Sequence, residues 1–255
     1  MKTAYIQLQR YILLLVAVLA LGACSTAPEQ QGDAIIEPSF SADTVLDNDL
    51  TYLSDGISDP WEGFNRSMYR FNYRFDKYLF LPVVNGYKTI TPDFLEKGIH
   101  NFFLNLGDIN TFFNSILQLN GTKTVQTTGR FLVNTTAGLL GFIDVATMVD
   151  IPKHNEDFGQ TLGYWGVNNG PYLVLPLLGP SNVRDGVGRG VDWAAYTAVI
   201  DELEMKDGEE WALTIMQAID SRANVGFRYY ETGTPFEYDW VKLLYTTKRK
   251  MDIEK

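Results

Sequence analysis

The chain has 255 residues, a formal net charge of −10, 13% aromatic residues and a single cysteine, Cys24. The acidic balance excludes charge-driven binding to nucleic acid or to anionic head groups, so membrane contact has to come from apolar surface or attached lipid. One cysteine excludes a disulfide within the chain.

The chain opens with the charged residues Lys2 and Arg10, then an apolar run from Tyr11 to Leu21, then Leu21-Gly22-Ala23-Cys24. This order is that of a secretory signal peptide, and the run is shorter than the roughly 20 residues of a membrane span. Small residues directly before a cysteine form a bacterial lipobox. Residues 1–23 are therefore expected to be removed, leaving a net charge of −10 − 2 = −12. Cys24 then carries a diacylglycerol and an N-acyl chain, and no other cofactor is expected. At about 0.8 kcal/mol per buried methylene, two or three acyl chains anchor the protein permanently. The next residue is Ser25 and not Asp, which favours sorting to the outer membrane of a Gram-negative bacterium, on its periplasmic side.

Residues 24–58 are polar, with Pro28, Gly32, Pro38 and Gly56, and read as a lipidated flexible tether. A single helical domain is expected over 59–255. Asp59-Pro60-Trp61-Glu62 looks like a helix start, with Asp59 as cap. Trp61, Phe64, Met68, Phe71, Phe75 and Leu79 recur at helical spacing, and Pro82 is the predicted stop. Thr91-Pro92-Asp93 opens a second helix, with Leu95, Ile99, Phe102, Phe103 and Leu106 as its stripe. Gly107-Asp108 is read as a break before a third helix. Opposite the apolar residues sit Asn101, Asn105, Asn110, Asn114 and Gln118, and Asp108 is the only charge from Asn101 to Asn120. Water-facing helices usually carry Lys, Glu and Arg. Two readings stay open: a partly dehydrated setting, or a buried helix pair joined by amide networks.

Residues 121–149 predict one or two helices broken at Gly138 and Gly141. Asp144 is the only charge from Phe131 to Val149, and the stretch reads as a broken, buried or interfacial hairpin. Gly170-Pro171 and Gly179-Pro180 frame the apolar segment Tyr172–Leu178, whose prolines and length exclude a spanning helix. Tyr172, Leu173, Leu175, Leu177 and Leu178 are its candidate membrane-facing residues. Charges return after Asp201 around Trp211, Ile215, Met216 and Ile219. Thr234-Pro235-Phe236-Glu237 starts the last helix, which is expected to end in Lys248-Arg249-Lys250. The fold class is all-α, built of short and medium helices.

Catalytic patterns are not legible. His100 and His154 lack zinc-ligand spacing, and no Gly-x-Ser-x-Gly elbow occurs. Gly186-Val187-Gly188-Arg189-Gly190 lacks the Lys-Ser/Thr of a phosphate loop and reads as a helix-joining turn. Glu156-Asp157 reads as solvated or capping. The chain is therefore not expected to be an enzyme.

Four stretches carry a resemblance. They are Asp59-Pro60-Trp61-Glu62-Gly63-Phe64-Asn65-Arg66; Arg130-Phe131-Leu132-Val133-Asn134-Thr135-Thr136, continuing through Gly138-Leu139-Leu140-Gly141-Phe142-Ile143-Asp144-Val145-Ala146; Asp157-Phe158-Gly159-Gln160-Thr161-Leu162-Gly163-Tyr164-Trp165-Gly166; and Gly170-Pro171-Tyr172-Leu173-Val174-Leu175-Pro176, with Gly179-Pro180-Ser181 and Arg184-Asp185 beyond. The chain resembles the MlaA (VacJ) family of outer-membrane lipoproteins over roughly residues 59–250. The resemblance implies a helical ring lying monotopically in the inner leaflet of the outer membrane, around an amphipathic channel. It implies removal of mislocalised phospholipid from the outer leaflet and its transfer to a soluble periplasmic lipid carrier. The partners so implied are phospholipid, a trimeric outer-membrane porin and that carrier. Lipid passage needs a movable wall, for which Asn72, Tyr73, Gly138 and Gly141 are the candidate channel or gating residues. The alternative function is a structural envelope lipoprotein that scaffolds a porin complex without moving lipid.

Overall fold

A computed structural model describes residues 56–201, 208–231 and 233–254. The chain divides into two units, Met1–Ile36 and Glu37–Lys255, and every described residue belongs to the second. The signal peptide, Cys24 and the tether up to residue 55 lie outside the described residues.

Helix α1 spans Glu62–Phe75. Its buried positions are Asn65, Tyr69 and Asn72, whereas Trp61, Phe64 and Phe71 are exposed. Of the rest of the apolar stripe, Met68 and Phe75 are half-buried and Leu79 is exposed. Asp59 does not cap α1: its carboxylate accepts from Asn65 Nδ2 at 2.7 Å, Tyr238 Oη at 2.6 Å and Lys242 Nζ at 3.3 Å.

The helix does not stop at Pro82. A π-helical turn, Asp76–Phe80, leads directly into α2, Leu81–Ile90. Leu81 N–H donates to Asp76 O, five residues back, and Pro82 falls in the first turn of α2. A proline is tolerated where its missing N–H is not needed, and the π turn creates such a place. Gly107-Asp108 is no break either, because α3 runs unbroken through Asp93–Leu117, 25 residues. Asp108 is buried in α3 facing Arg130, so tertiary contact overrides its weak helix propensity.

Asn120 caps α4 (Gly121–Thr136), accepting from Lys123 N. The broken hairpin is as expected: α4 ends before Gly138, a turn follows, and α5 covers Val145–Met148. Helix α6 spans Phe158–Tyr164, with Asp157 as cap. Strands β1 (Tyr172–Leu175) and β2 (Gly179–Asn182) form an antiparallel pair, with Tyr172 opposite Asn182 and Leu175 opposite Gly179. This two-stranded hairpin is the one element type that the all-α reading omitted.

Helix α1 takes the place of a third strand. Asn65 Nδ2 donates to Tyr172 O at 3.1 Å, and Val174 N–H donates to Asn65 Oδ1 at 2.8 Å. Two turns on, Asn72 Nδ2 donates to Leu175 O at 3.0 Å, and Leu177 N–H donates to Asn72 Oδ1 at 2.7 Å. Seven helical residues rise about 10.5 Å and three strand residues about 10 Å, so the two amides meet β1 in register.

Helix α7 covers Val183–Asp201 and contains Gly186–Gly190, which therefore form no turn. A side chain at Gly188 would run into the backbone of Gly159, so this glycine serves the close crossing of α6 and α7. Helices α8 (Glu209–Ala223) and α9 (Glu237–Glu254) complete the body. Residues Lys248-Arg249-Lys250 do not end α9. Arg249 is buried and donates to Asp157 at 2.6 and 2.8 Å and to Asp185 at 2.8 Å, tying α9 to α6 and α7. Glu156 is buried too, and not solvated.

Two small apolar clusters hold the body. Tyr69, Tyr172, Val174 and Tyr238 form one, with edge-on rings 5.9–6.4 Å apart around Tyr172, Tyr238 and Tyr245 and between Tyr69 and Tyr238. Val84, Tyr87 and Ala223 form the other. Tyr172 is only 1% exposed, which corrects the expectation that it faces a membrane. Its position on β1 turns it toward α9, away from the surface.

Candidate functional site

The interior of this protein is mainly polar. Among the described residues, 23 polar or charged residues are buried against 10 apolar ones, while large apolar side chains lie along the outside. In water the hydrophobic effect drives the opposite arrangement. The inversion is clearest on α3 and α4. Asn105, Asp108, Thr111, Asn114 and Ser115 of α3 and Gln118 at its C-cap are buried, and Phe113, Ile116 and Leu117 are exposed. Of the two readings of the amide-rich face, the buried amide network is present, with Asn105, Asn114 and Gln118 buried and Asn101 and Asn110 half-buried.

One half of the network joins α3 to α6. Asn114 Nδ2 donates to Asp192 at 3.1 Å, and its Oδ1 accepts from Thr161 Oγ1 at 2.8 Å. Gln118 Nε2 donates to Glu156 at 3.0 Å and to Thr161 at 3.1 Å. Lys123 of α4 closes this group on Glu156 at 2.6 Å. The other half centres on Arg130, which is buried in α4. Its Nη2 makes two 2.9 Å bonds to the Asp144 carboxylate, and Nη1 donates to Ile151 O at 2.6 Å and Thr147 Oγ1 at 3.2 Å. Asn134 bridges Asp144 and the N–H of Ala146. Burial pushes the Asp144 carboxyl up, but bonds from Thr147, Asn134 and Arg130 outweigh it and hold it down at about 2.

The turn after α4 is locked by this half. Leu139, Leu140 and Gly141 are consecutive left-handed residues, with φ of 53°, 60° and 92°. Such a conformation costs a leucine about 1–2 kcal/mol. The compensation is local: Leu140 and Gly141 N–H donate to Thr135 O and Asn134 O, and Asn101 Nδ2 donates to Phe142 O. The tip of the Phe142 ring packs against Gly98, where a side chain would collide with it. The outcome is a rigid turn that holds Leu139 and Leu140 out, 68% and 65% exposed.

From Ile109 to Val149 the charged residues are Lys123, Arg130 and Asp144, and none is exposed. The outward face of this stretch carries Phe113, Leu119, Val125, Leu132, Leu140 and Met148 among others. An uncharged apolar face of this length marks a membrane or partner contact. Among the described residues no helix is long and apolar enough to cross a membrane, and no cluster of His, Asp or Glu is arranged to hold a metal ion.

The sequence-predicted residues separate into distinct places. Asn72 is buried as the pin of the β hairpin, and Tyr73 is half-buried, edge-on to Tyr230 at 4.9 Å. Gly138 and Gly141 are hemmed in by the Ile143 and Asn134 backbone and by the Asn105 side chain. Leu173 and Leu175 are half-buried, while Leu177 and Leu178 are exposed at the hairpin tip. Sequence reasoning missed Asn65, Arg130, Asp144 and Glu156 as network members. The seven-residue spacing of Asn65 and Asn72, and the four-residue spacings of Asn101 and Asn105 and of Asn110, Asn114 and Gln118, were the available signals.

The model of the MlaA lipoprotein family matches residues 57–252. This chain belongs to the MlaA lipoprotein family. Relatives include an uncharacterized protein of Rickettsia prowazekii, 40% identical over 148 residues that cover 55% of this chain and 59% of that protein. The intermembrane phospholipid transport system lipoprotein MlaA of Escherichia coli K12 is 39% identical over 141 residues, 54% of this chain and 56% of that protein. The match thus spans less than two thirds of either relative. The MlaA of Haemophilus influenzae is 34% identical over 181 residues, 69% of this chain and 70% of that protein. A chain solved for the structural basis for maintenance of bacterial outer membrane lipid asymmetry has a TM-score of 0.60 and 29% identity, covering 77% of this chain and 99% of that one.

Proposed function

We propose that this chain is an outer-membrane lipoprotein, anchored through Cys24, that withdraws mislocalised phospholipid from the outer leaflet and passes it to a periplasmic lipid carrier, with a trimeric porin as its membrane partner. The observation that carries the reading is the inversion: a charge-free apolar face from Ile109 to Val149 over a polar interior. Such a body is stable with hydrocarbon outside and offers polar groups inside, which suits a ring-like protein resident in one leaflet and a cargo with both tails and a head group. The chemistry is transport without catalysis. In this reading Leu177 and Leu178 belong to the membrane rim, and the movable element is the junction of α1 with the β hairpin. Asn72 pins that junction and Tyr73 flanks it, with Gly138 and Gly141 as fixed parts of the facing wall.

Surface labelling of phospholipid amines on intact cells tests the proposal. Cells lacking the protein should show a several-fold rise in labelled outer-leaflet phospholipid, reversed by the wild-type chain. Protein purified in detergent should carry phospholipid. Unchanged asymmetry, with purified protein that holds a porin and no lipid, would establish the scaffold reading instead.

A further inference from the structure

The α3–α4 seam contains a carboxylate and an amide that both lack a donor. Asn105 is buried; its Nδ2 donates to Thr135 Oγ1 at 3.0 Å, while its Oδ1 accepts nothing. Asp108 follows at i+3 on the same face of α3 and is 2% exposed. Among the described residues no hydrogen bond reaches its carboxylate, and the nearest cationic atom is Arg130 Nε at 4.0 Å. That Nε is itself buried and donates to nothing, although both Nη groups are engaged. Asn105, Asp108 and Arg130 line one narrow space together with Asn101, Asn134, Asp144 and Lys153.

Buried polar atoms are almost always paired, and each exception asks for an explanation. Asn105 Oδ1 and the Asp108 carboxylate line one space as acceptors with Arg130 Nε as its unpaired donor, so the space is short of one hydrogen. We propose that Asp108 is a proton-binding site, whose neutral carboxyl donates its O–H to Asn105 Oδ1. The proton comes from water, and no other bond is made or broken. The charged groups facing Asp108 are Arg130 of α4, Asp144 of the turn before α5, and Lys153 of the segment after it. With Asp108 ionised these four sum to zero; with it protonated the seam carries one positive charge. The electrostatics agree with the geometry: burial pushes the Asp108 carboxyl up to about 6, against the pull of Lys153 and Arg130 and with Asp144 adding to the rise. This assignment is independent of whether the protein moves lipid.

Infrared difference spectra of the full-length lipoprotein in detergent test it, titrated from acid to neutral pH, with Asp108→Asn used to assign the protonated-carboxyl band. The band should titrate near pH 6. Asn105→Ala removes the acceptor of the neutral form and should lower that midpoint by about one pH unit, a tenfold change. Thermal unfolding gives a second reading. The folded value of Asp108 lies above its unfolded one, so wild-type stability should fall as pH rises from about 4 to about 6 and then level off. Asp108→Asn should lose that decline. A midpoint near the ordinary aspartate value of about 3.9, or one that Asn105→Ala leaves in place, would overturn the proposal, as would an Asp108→Asn protein with the wild-type pH slope.

Discussion

Arg130→Met should lower the stability of the folded body by about 3–5 kcal/mol, the range found when one partner of a buried ion pair is removed. Arg130 makes four of its bonds to Asp144, Ile151 and Thr147, which join α4, the turn and the segment after α5. Methionine has nearly the volume but no donor. Asp108 would then remain 2% exposed without its nearest cation. Asp144 would lose its bidentate partner but keep Thr147 and Asn134, which places the loss nearer the lower figure. The share that runs through Asp144 follows pH with a defined sign. Its folded value, about 2, lies below the ordinary aspartate value of about 3.9, so this stability is present above about pH 4 and disappears as pH falls toward 2. Denaturant unfolding in detergent measures the change, and a loss under 1 kcal/mol would show that the seam does not depend on Arg130.

Charges placed on the outward face should change where the protein sits and not whether it folds. Leu132→Lys and Leu140→Lys alter side chains that are exposed in the middle of α4 and at the turn after it. A lysine at the centre of a bilayer costs about 2.5–3.5 kcal/mol on insertion scales, less near the interface. The two together should shift a Cys24→Ser protein, which has no acyl anchor to mask the effect, from membrane pellet to soluble fraction by at least tenfold, with its helical circular dichroism retained. Leu244→Lys is the matched control. Leu244 is equally exposed, but it lies on α9 one turn before Lys248, outside the charge-free stretch, and its substitution should leave the distribution nearly unchanged. Equal effects at Leu244 and Leu132 would mean that the charge-free stretch is not the membrane face.

The periodicity of the sequence located most helices and left open which side of them is inside. A stripe such as Trp61, Phe64 and Phe71 reports contrast between two faces, and a rule calibrated on water assigns the apolar face to the core. Here the sign is reversed, because Asn65 and Asn72 are satisfied by backbone of the β hairpin, and Asn114 and Gln118 by the side chains of Thr161, Glu156 and Asp192. Local breakers misled for a related reason. Pro82 was accommodated by a π turn, Gly107-Asp108 by burial against α4, and Gly186–Gly190 by a close helix crossing at Gly188. Each depends on a neighbour distant in sequence. Tyr172 was read as rim because its segment is apolar, but its alternation with Leu173 sends it inward to Tyr238. The family motifs, by contrast, were legible as residues. Asp157 caps α6 and holds Arg249, Gly159 permits the crossing with Gly188, and Asp144 holds Arg130. What a linear sequence could not supply was these pairings.

The account rests on the Ile109–Val149 face lying in hydrocarbon, and the most direct measurement is lipid contact along the chain. Single tryptophans can be placed at Leu132, at Leu140 and at Leu244, in protein whose five native tryptophans are replaced by phenylalanine. Each is then reconstituted into vesicles containing acyl-chain-brominated phospholipid. Bromine should quench Leu132→Trp and Leu140→Trp strongly and leave Leu244→Trp nearly unquenched. Strong quenching at Leu244 with none at Leu132 and Leu140 would contradict the account, and would place the charge-free face against protein or water.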